Sequence, residues 1–172
     1  MAEDFLRVSR ENGLWDAVMQ DWERQCQAFD EDLAEYATAS LPVLQSLATE
    51  TQRRNAGVYA VRVDSCYTGL CQLNVAMLPG YDTPVLRVRH IVHSPRYDFD
   101  EAISEEEYSK VLGDILAGVY LLSEDEMRAK HIKFHFRSPA ERIFFEQLKH
   151  VLAEQGPFSV IELRGSWLYI SK

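Results

Sequence analysis

At 172 residues, 47% of them hydrophobic and 26% charged, the chain is long enough for one domain with a real core and has the make-up of an ordinary globular protein. A formal net charge of −9 and a pI near 5.0 weigh against nucleic acid, whose partners carry a basic stripe, and against anionic membrane surfaces. No run approaches the roughly 18 apolar residues of a membrane span, and the acidic start Met1-Ala2-Glu3-Asp4 does not read as a signal peptide.

The sparse cysteines Cys26, Cys66 and Cys71 read as reduced thiols, so the expectation is a single domain over residues 1–172 in the cytoplasm. Arg53-Arg54 and Arg87-Val88-Arg89 are short basic clusters and read as solvated surface charge.

Phe5 to Arg10 alternates weakly and predicts a short first strand. From about Leu14 to Leu47 the spacing is helical. Trp15, Val18, Met19 and Trp22 recur at three- and four-residue intervals, and so do Phe29, Leu33 and Tyr36. Pro42 starts or kinks the last piece, because proline has no N–H to donate. Val58 to Val63 is rich in β-branched and aromatic residues and predicts a strand. Asp64 to Gly69 reads as a turn, flanked by Cys66 and Cys71 as packing residues. Leu70 to Leu78 completes the hairpin, which Pro79-Gly80 ends. Pro84 to His93 is a third strand.

Ser104-Glu105-Glu106-Glu107 is a capping box: the serine oxygen can accept from an orphan helix amide while Glu107 reaches back to the serine amide. Tyr108, Val111, Leu112, Ile115, Leu116 and Val119 follow at helical spacing and predict a helix over about 104–122. Lys130 to Arg137 alternates as a half-buried strand does. Ser138-Pro139-Ala140-Glu141 is a second capping box with proline in the first turn, where its missing N–H costs nothing. Ile143, Phe144, Leu148, Val151 and Leu152 form that helix's predicted apolar stripe, and Gly156-Pro157 stops it. Phe158 to Leu163 and Trp167 to Ser171 are the last strands, joined at Arg164-Gly165-Ser166. The order β-α-α-β-β-β-α-β-α-β-β contains one strand–helix–strand unit over 85–137, which implies a right-handed parallel crossover. The hairpins imply antiparallel pairs. The expected class is α/β (α+β): a mixed, mostly antiparallel twisted sheet flanked by helices.

That order resembles the GNAT superfamily, the Gcn5-related N-acetyltransferases, across nearly the whole chain. Ile91-Val92-His93-Ser94-Pro95-Arg96-Tyr97 is similar to the end of the family's fourth strand, and Ala140-Glu141-Arg142-Ile143-Phe144-Phe145-Glu146-Gln147-Leu148 to its last core helix. The resemblance implies acetyl-CoA or another acyl-CoA, held by the amides of a glycine-rich loop at a helix start, and a tyrosine acid in the last helix. The sequence departs on both counts. Asp98-Phe99-Asp100-Glu101-Ala102-Ile103 and the glutamates after Ser104 contain no glycine, and their carboxylates repel a diphosphate. Phe145 stands where the tyrosine would be.

The histidines are the candidate catalytic groups. His90 and His93 fall on opposite faces of the third long strand, and either could serve as general base because imidazole titrates near neutral pH. If an acyl-CoA binds, the resemblance implies contact with the strand backbone at Ile91, Val92 and His93. His131 and His135 lie on the neighbouring strand, but no spacing in the chain reads as a metal motif. Lys133, His135 and Arg137 share one strand face and could meet an anion, although a solvated face paired with glutamates is the plainer expectation. Trp15, Trp22, Trp167 and the pair Phe144-Phe145 read as core. No Gly-x-Ser-x-Gly, dinucleotide or Walker motif is present.

The leading expectation is therefore a GNAT-like protein that is not a standard acetyl-CoA N-acetyltransferase and acts by binding a small molecule or a protein. The alternatives are a divergent acyl-CoA-dependent N-acyltransferase with an atypical cofactor site, and a structural homodimer joined through the final hairpin.

Overall fold

The computed structural model describes residues 4–50 and 52–172; Met1-Ala2-Glu3, on which the signal-peptide reading rests, lies outside them. The chain runs β1 (Asp4–Val8), α1 (Leu14–Gln27), a 3₁₀ turn (Leu33–Glu35), α2 (Leu41–Thr49), β2 (Ala56–Val63), β3 (Cys66–Ala76), β4 (Val85–His93), α3 (Pro95–Phe99), α4 (Glu105–Glu124), β5 (His131–His135), α5 (Pro139–Gln155), β6 (Val160–Arg164) and β7 (Trp167–Ser171). The seven strands form one sheet in the order β1-β2-β3-β4-β5-β7-β6. Among the described strands only β4 and β5 pair in parallel, and α4 makes the crossover between them. No helix among the described residues is long and apolar enough to cross a membrane.

The alternation along β2 shows how the layers form, because successive side chains point to opposite faces. Tyr59 and Val61 join Cys71, Leu73, Leu86 and Val88 under α4 and α5. Val58 and Ala60 join Leu70 and Val92 on the other face, under Trp15, Val18 and Trp22 of α1 and Leu44 of α2. Trp22 is fully buried, and its indole N–H donates to the Tyr67 carbonyl at 2.8 Å. The buried Asp21 accepts the Tyr67 amide at 2.9 Å, so α1 pins the start of β3 through two polar bonds inside an apolar layer.

Three local expectations need correction. Phe29, Leu33 and Tyr36 have helical spacing, yet only a 3₁₀ turn forms there; Asp30 and Ala37 take left-handed φ values of 57° and 48° and break the run on either side. The β2–β3 turn is only Asp64-Ser65, with Asp64 at φ 55°, so β3 begins at Cys66 instead of Leu70. Cys66 is exposed, Cys71 is buried, and both are free thiols. On α5 the core side chain is Phe145, whereas Ile143 and Val151 are 56% and 51% exposed. Both capping boxes form as read, on Ser104 with Glu107 and on Ser138 with Glu141.

Candidate functional site

The sheet opens at its centre. β4 pairs with β5 only from Val85 to Val88, so residues 89–93 run on beyond their parallel neighbour. On the other edge Gln72 lies opposite Arg89 but Leu70 lies opposite Val92, which leaves β4 one residue longer than β3. This is a β-bulge, and His90 occupies it at φ 49°. Non-glycine residues take this conformation rarely, and it re-aims the side chains that follow.

The bulge sends the two candidate histidines apart. His90 Nδ1 lies 3.4 Å from Ser40 Oγ at the start of α2. Burial lowers its pKa, and the cations Arg137 and Arg89 lower it further. His93 turns to the other face and is buried, with its ring stacked on Tyr108 of α4 at 3.8 Å and 13°. Its Nε2 lies 3.3 Å from the Tyr108 carbonyl. A carbonyl only accepts, so this contact assigns the imidazole proton to Nε2. Burial holds the His93 pKa down to about 4, and the ring is neutral at pH 7.

Tyr108 and Tyr36 close the opening from both sides. The Tyr108 hydroxyl reaches the Ser138 side chain at the start of α5, and burial raises its pKa to about 12. Tyr36, from the segment between α1 and α2, places its hydroxyl 2.9 Å from the His93 carbonyl and 2.7 Å from Asp98 Oδ2. Burial, then the Asp98 charge, drive its pKa well above the usual phenol range. Both phenols therefore stay protonated at neutral pH, and the Tyr36 hydroxyl acts as a hydrogen-bond donor.

Beyond the opening, α4 begins with a capping box that engages two of its terminal amides. Ser104 Oγ accepts from the Glu107 amide at 3.1 Å, and Glu107 accepts the Ser104 amide at 3.0 Å. Glu105, Glu106 and Glu107 fill the first turn. The exposed Arg96 side chain lies 3.5 Å from Asp100 and 4.0 Å from Glu107. A groove of about 290 Å³ separates the starts of α4 and α5, lined by Tyr97, Ile103, Ser104, Tyr108, Ile143 and Phe144 among others.

No protein-family model matches the sequence, and no curated protein does. The architecture is similar to that of a probable acetyltransferase from Staphylococcus epidermidis, with a TM-score of 0.52 over 98% of both chains and 10% identity. The chain has a GNAT-like fold. Two further solved structures align with it. AAC(6')-Iy, bound to the bisubstrate analogue CoA-S-monomethyl-acetylneamine, aligns over 94% of this chain and 97% of its own, at a TM-score of 0.49 and 14% identity. A ribosomal-protein-alanine N-acetyltransferase from Brucella melitensis biovar Abortus aligns over 94% and 99%, at a TM-score of 0.46 and 22% identity.

A GNAT-like fold implies an acyl-CoA, and the residues at the start of α4 do not fit its diphosphate. The capping box takes up the Ser104 and Glu107 amides, two of the donors that would meet phosphate oxygens, and the side chains around the remaining two are the carboxylates of Glu105, Glu106 and Glu107. Phe145 packs into the core, 5.7 Å from Phe134 and 5.6 Å from Phe136, with no access to the opening.

Of the residues singled out in the sequence, Ile91, Val92 and His93 lie on the free end of β4, with Val92 and His93 side chains buried on opposite faces. His90 and His93 do not converge, and no group of three or more His, Cys, Asp or Glu among the described residues is placed to hold a metal. Sequence reasoning missed Tyr36, Tyr108 and Asp98, whose roles depend on partners distant along the chain. Trp167, read as core, is half-buried: Lys133 Nζ sits over its ring at 4.5 Å and over that of Tyr169 at 4.6 Å. Lys133, His135 and Arg137 do share a face, but among the described residues no glutamate forms an ion pair with Lys133 or Arg137; the Arg137 guanidinium donates to Ser40 Oγ at 3.3 Å, and the Arg137 amide donates to Glu141.

Proposed function

We propose that this GNAT-fold chain acts by binding a ligand or a protein, and does not hold acetyl-CoA through the diphosphate cradle of a standard N-acetyltransferase. The observation that carries the reading is the self-capped, triply acidic first turn of α4. Like unit charges about 5 Å apart cost about 1 kcal/mol in water and about 3 kcal/mol at an effective dielectric of 20. A favourable helix-terminus interaction returns only about 0.3–1 kcal/mol. Three carboxylates therefore outweigh the dipole. The sealed opening also supports the reading, because Tyr108 stacks on His93 where a reacting group would have to enter.

Titration calorimetry with CoA and acetyl-CoA tests this reading. It expects no saturable heat up to roughly 1 mM cofactor; micromolar binding, tighter for the thioester than for CoA, would overturn it. The second reading, a divergent acyl-CoA-dependent N-acyltransferase, is favoured by one feature. The backbone of Ile91 to His93 runs on past β5 and could pair with an extended thioester arm. Acyl transfer from acetyl-CoA to a panel of amines, followed by free-thiol release, separates the two.

A further inference from the structure

The face of the sheet opposite α4 and α5 carries a concentration of cations at odds with the chain's overall charge. α1 and α2 pack over β3 and β2, and β4 continues beyond them. Arg87 and Lys133 are register partners on β4 and β5, so their side chains share this face. Arg89 follows two residues on, and after burial its charge and that of Arg137 lower the pKa of His90 and His135. Between the end of α2, the start of β2 and strands β3–β4 lies a basin of about 420 Å³, lined by Arg53, Asn55, Gln72, Asn74, Arg87 and Arg89 among others.

The Nε atoms of Arg87 and Arg89 are buried and have no hydrogen-bond partner among the described residues. The nearby carboxylate of Glu50 is taken by Arg53 Nε at 3.0 Å. The chain holds 27 acidic against 18 basic residues, so acids are in surplus, yet none pairs with Arg87 or Arg89 among the described residues. Buried guanidinium N–H groups left without acceptors are costly, and the arrangement makes sense where an outside acceptor arrives.

We infer that this basin is a binding site for a small multivalent oxyanion, a molecule bearing carboxylate or phosphate groups. Arg87 and Arg89 supply the forked donors that match such groups bidentately, and the amides of Asn55, Gln72 and Asn74 supply neutral donors around them. A basin of this volume takes a small molecule, and the net charge of −9 opposes a long polyanion such as nucleic acid. The site lies on the opposite face from α4 and is independent of whether CoA binds there.

Calorimetric titration of the full chain with pyrophosphate and with citrate tests the inference. At least one probe should bind saturably, weaken as salt rises, and lose about tenfold or more in affinity in Arg87→Gln and Arg89→Gln. Arg142→Gln, which removes an exposed α5 cation paired with Glu146, should leave binding unchanged. Pyrophosphate as the tighter probe marks a phosphoester ligand, citrate a polycarboxylate; either supports an oxyanion site. In the wild-type chain, the Nε–H resonances of Arg87 and Arg89 should shift on addition of the tighter probe, a readout that needs no variant to fold. No binding of either probe near 10 mM, on the order of the weakest useful affinity, or equal loss in Arg142→Gln, overturns the inference. CoA bound through this basin would be lost in Arg89→Gln with no change at Glu105–Glu107, whereas CoA bound at α4 would do the reverse, so the two proposals fail separately.

Discussion

Acidification should destabilise the protein through His93. The side chain is 4% exposed, and its folded pKa of about 4 lies below the 6.5 of the free group. Because the folded value is the lower one, the unfolded chain takes up a proton that the folded chain refuses. The His93 contribution is therefore complete above about pH 6.5, falls as the pH drops toward 4, and is flat below that. The gap is worth about 3 kcal/mol, against a total stability on the order of 5–15 kcal/mol for a domain. His93→Gln keeps an amide N–H for the Tyr108 carbonyl and removes the titration. Urea unfolding of both proteins between pH 7 and 4, followed by the fluorescence of the buried Trp15 and Trp22, measures the difference. His90 and His135, whose pKa values are also lowered, titrate in both proteins, and so does Glu141, whose raised pKa acts in the opposite sense; all three cancel in the comparison. The wild type should lose about 3 kcal/mol more than the variant. Parallel pH profiles would mean that His93 is reached by water, and that the opening beside β4 is not sealed.

Two substitutions probe packing at the β1 edge and beside His93. A methyl group at Gly118 of α4 would press into the Phe5 ring and lie 2.8 Å from Phe5 Cβ, so Gly118→Ala should cost about 1–3 kcal/mol and lower the Tm by about 2–4 °C per kcal/mol; an unchanged melting curve would rule out that close approach of α4 to β1. Tyr36→Phe removes the hydroxyl shared by the His93 carbonyl and Asp98, and should cost about 1 kcal/mol while speeding amide exchange in α3; unchanged exchange at Tyr97–Asp100 would show that Tyr36 does not hold that segment.

What the sequence made legible was local. Both capping boxes are written within four residues, and the parallel β4–α4–β5 unit follows from the alternation of periods and the handedness of crossovers. The break between α1 and α2 was not legible, because Ala37 takes a left-handed φ that its residue type does not announce. Nor was the bulge at His90, since a strand's extra residue shows only against its neighbour's register. The candidate site was half visible. The missing glycines and the glutamates of α4 could be read directly, but the plug made by Tyr108 and His93 joins residues from two elements, and Tyr36 lies 57 residues from the carbonyl it binds. Arg87 and Arg89 read as solvated charge because alternation reports a face, not whether that face closes over a side chain.

The first turn of α4 decides whether CoA docks in the usual manner. In amide-resolved NMR of the labelled chain titrated with CoA, the resonances of Glu105, Glu106 and Glu107 should stay in place, because the three carboxylates of that turn repel a diphosphate and the capping box already holds the Glu107 amide. Saturable downfield shifts confined to those three amides would place a phosphate there and contradict this reading.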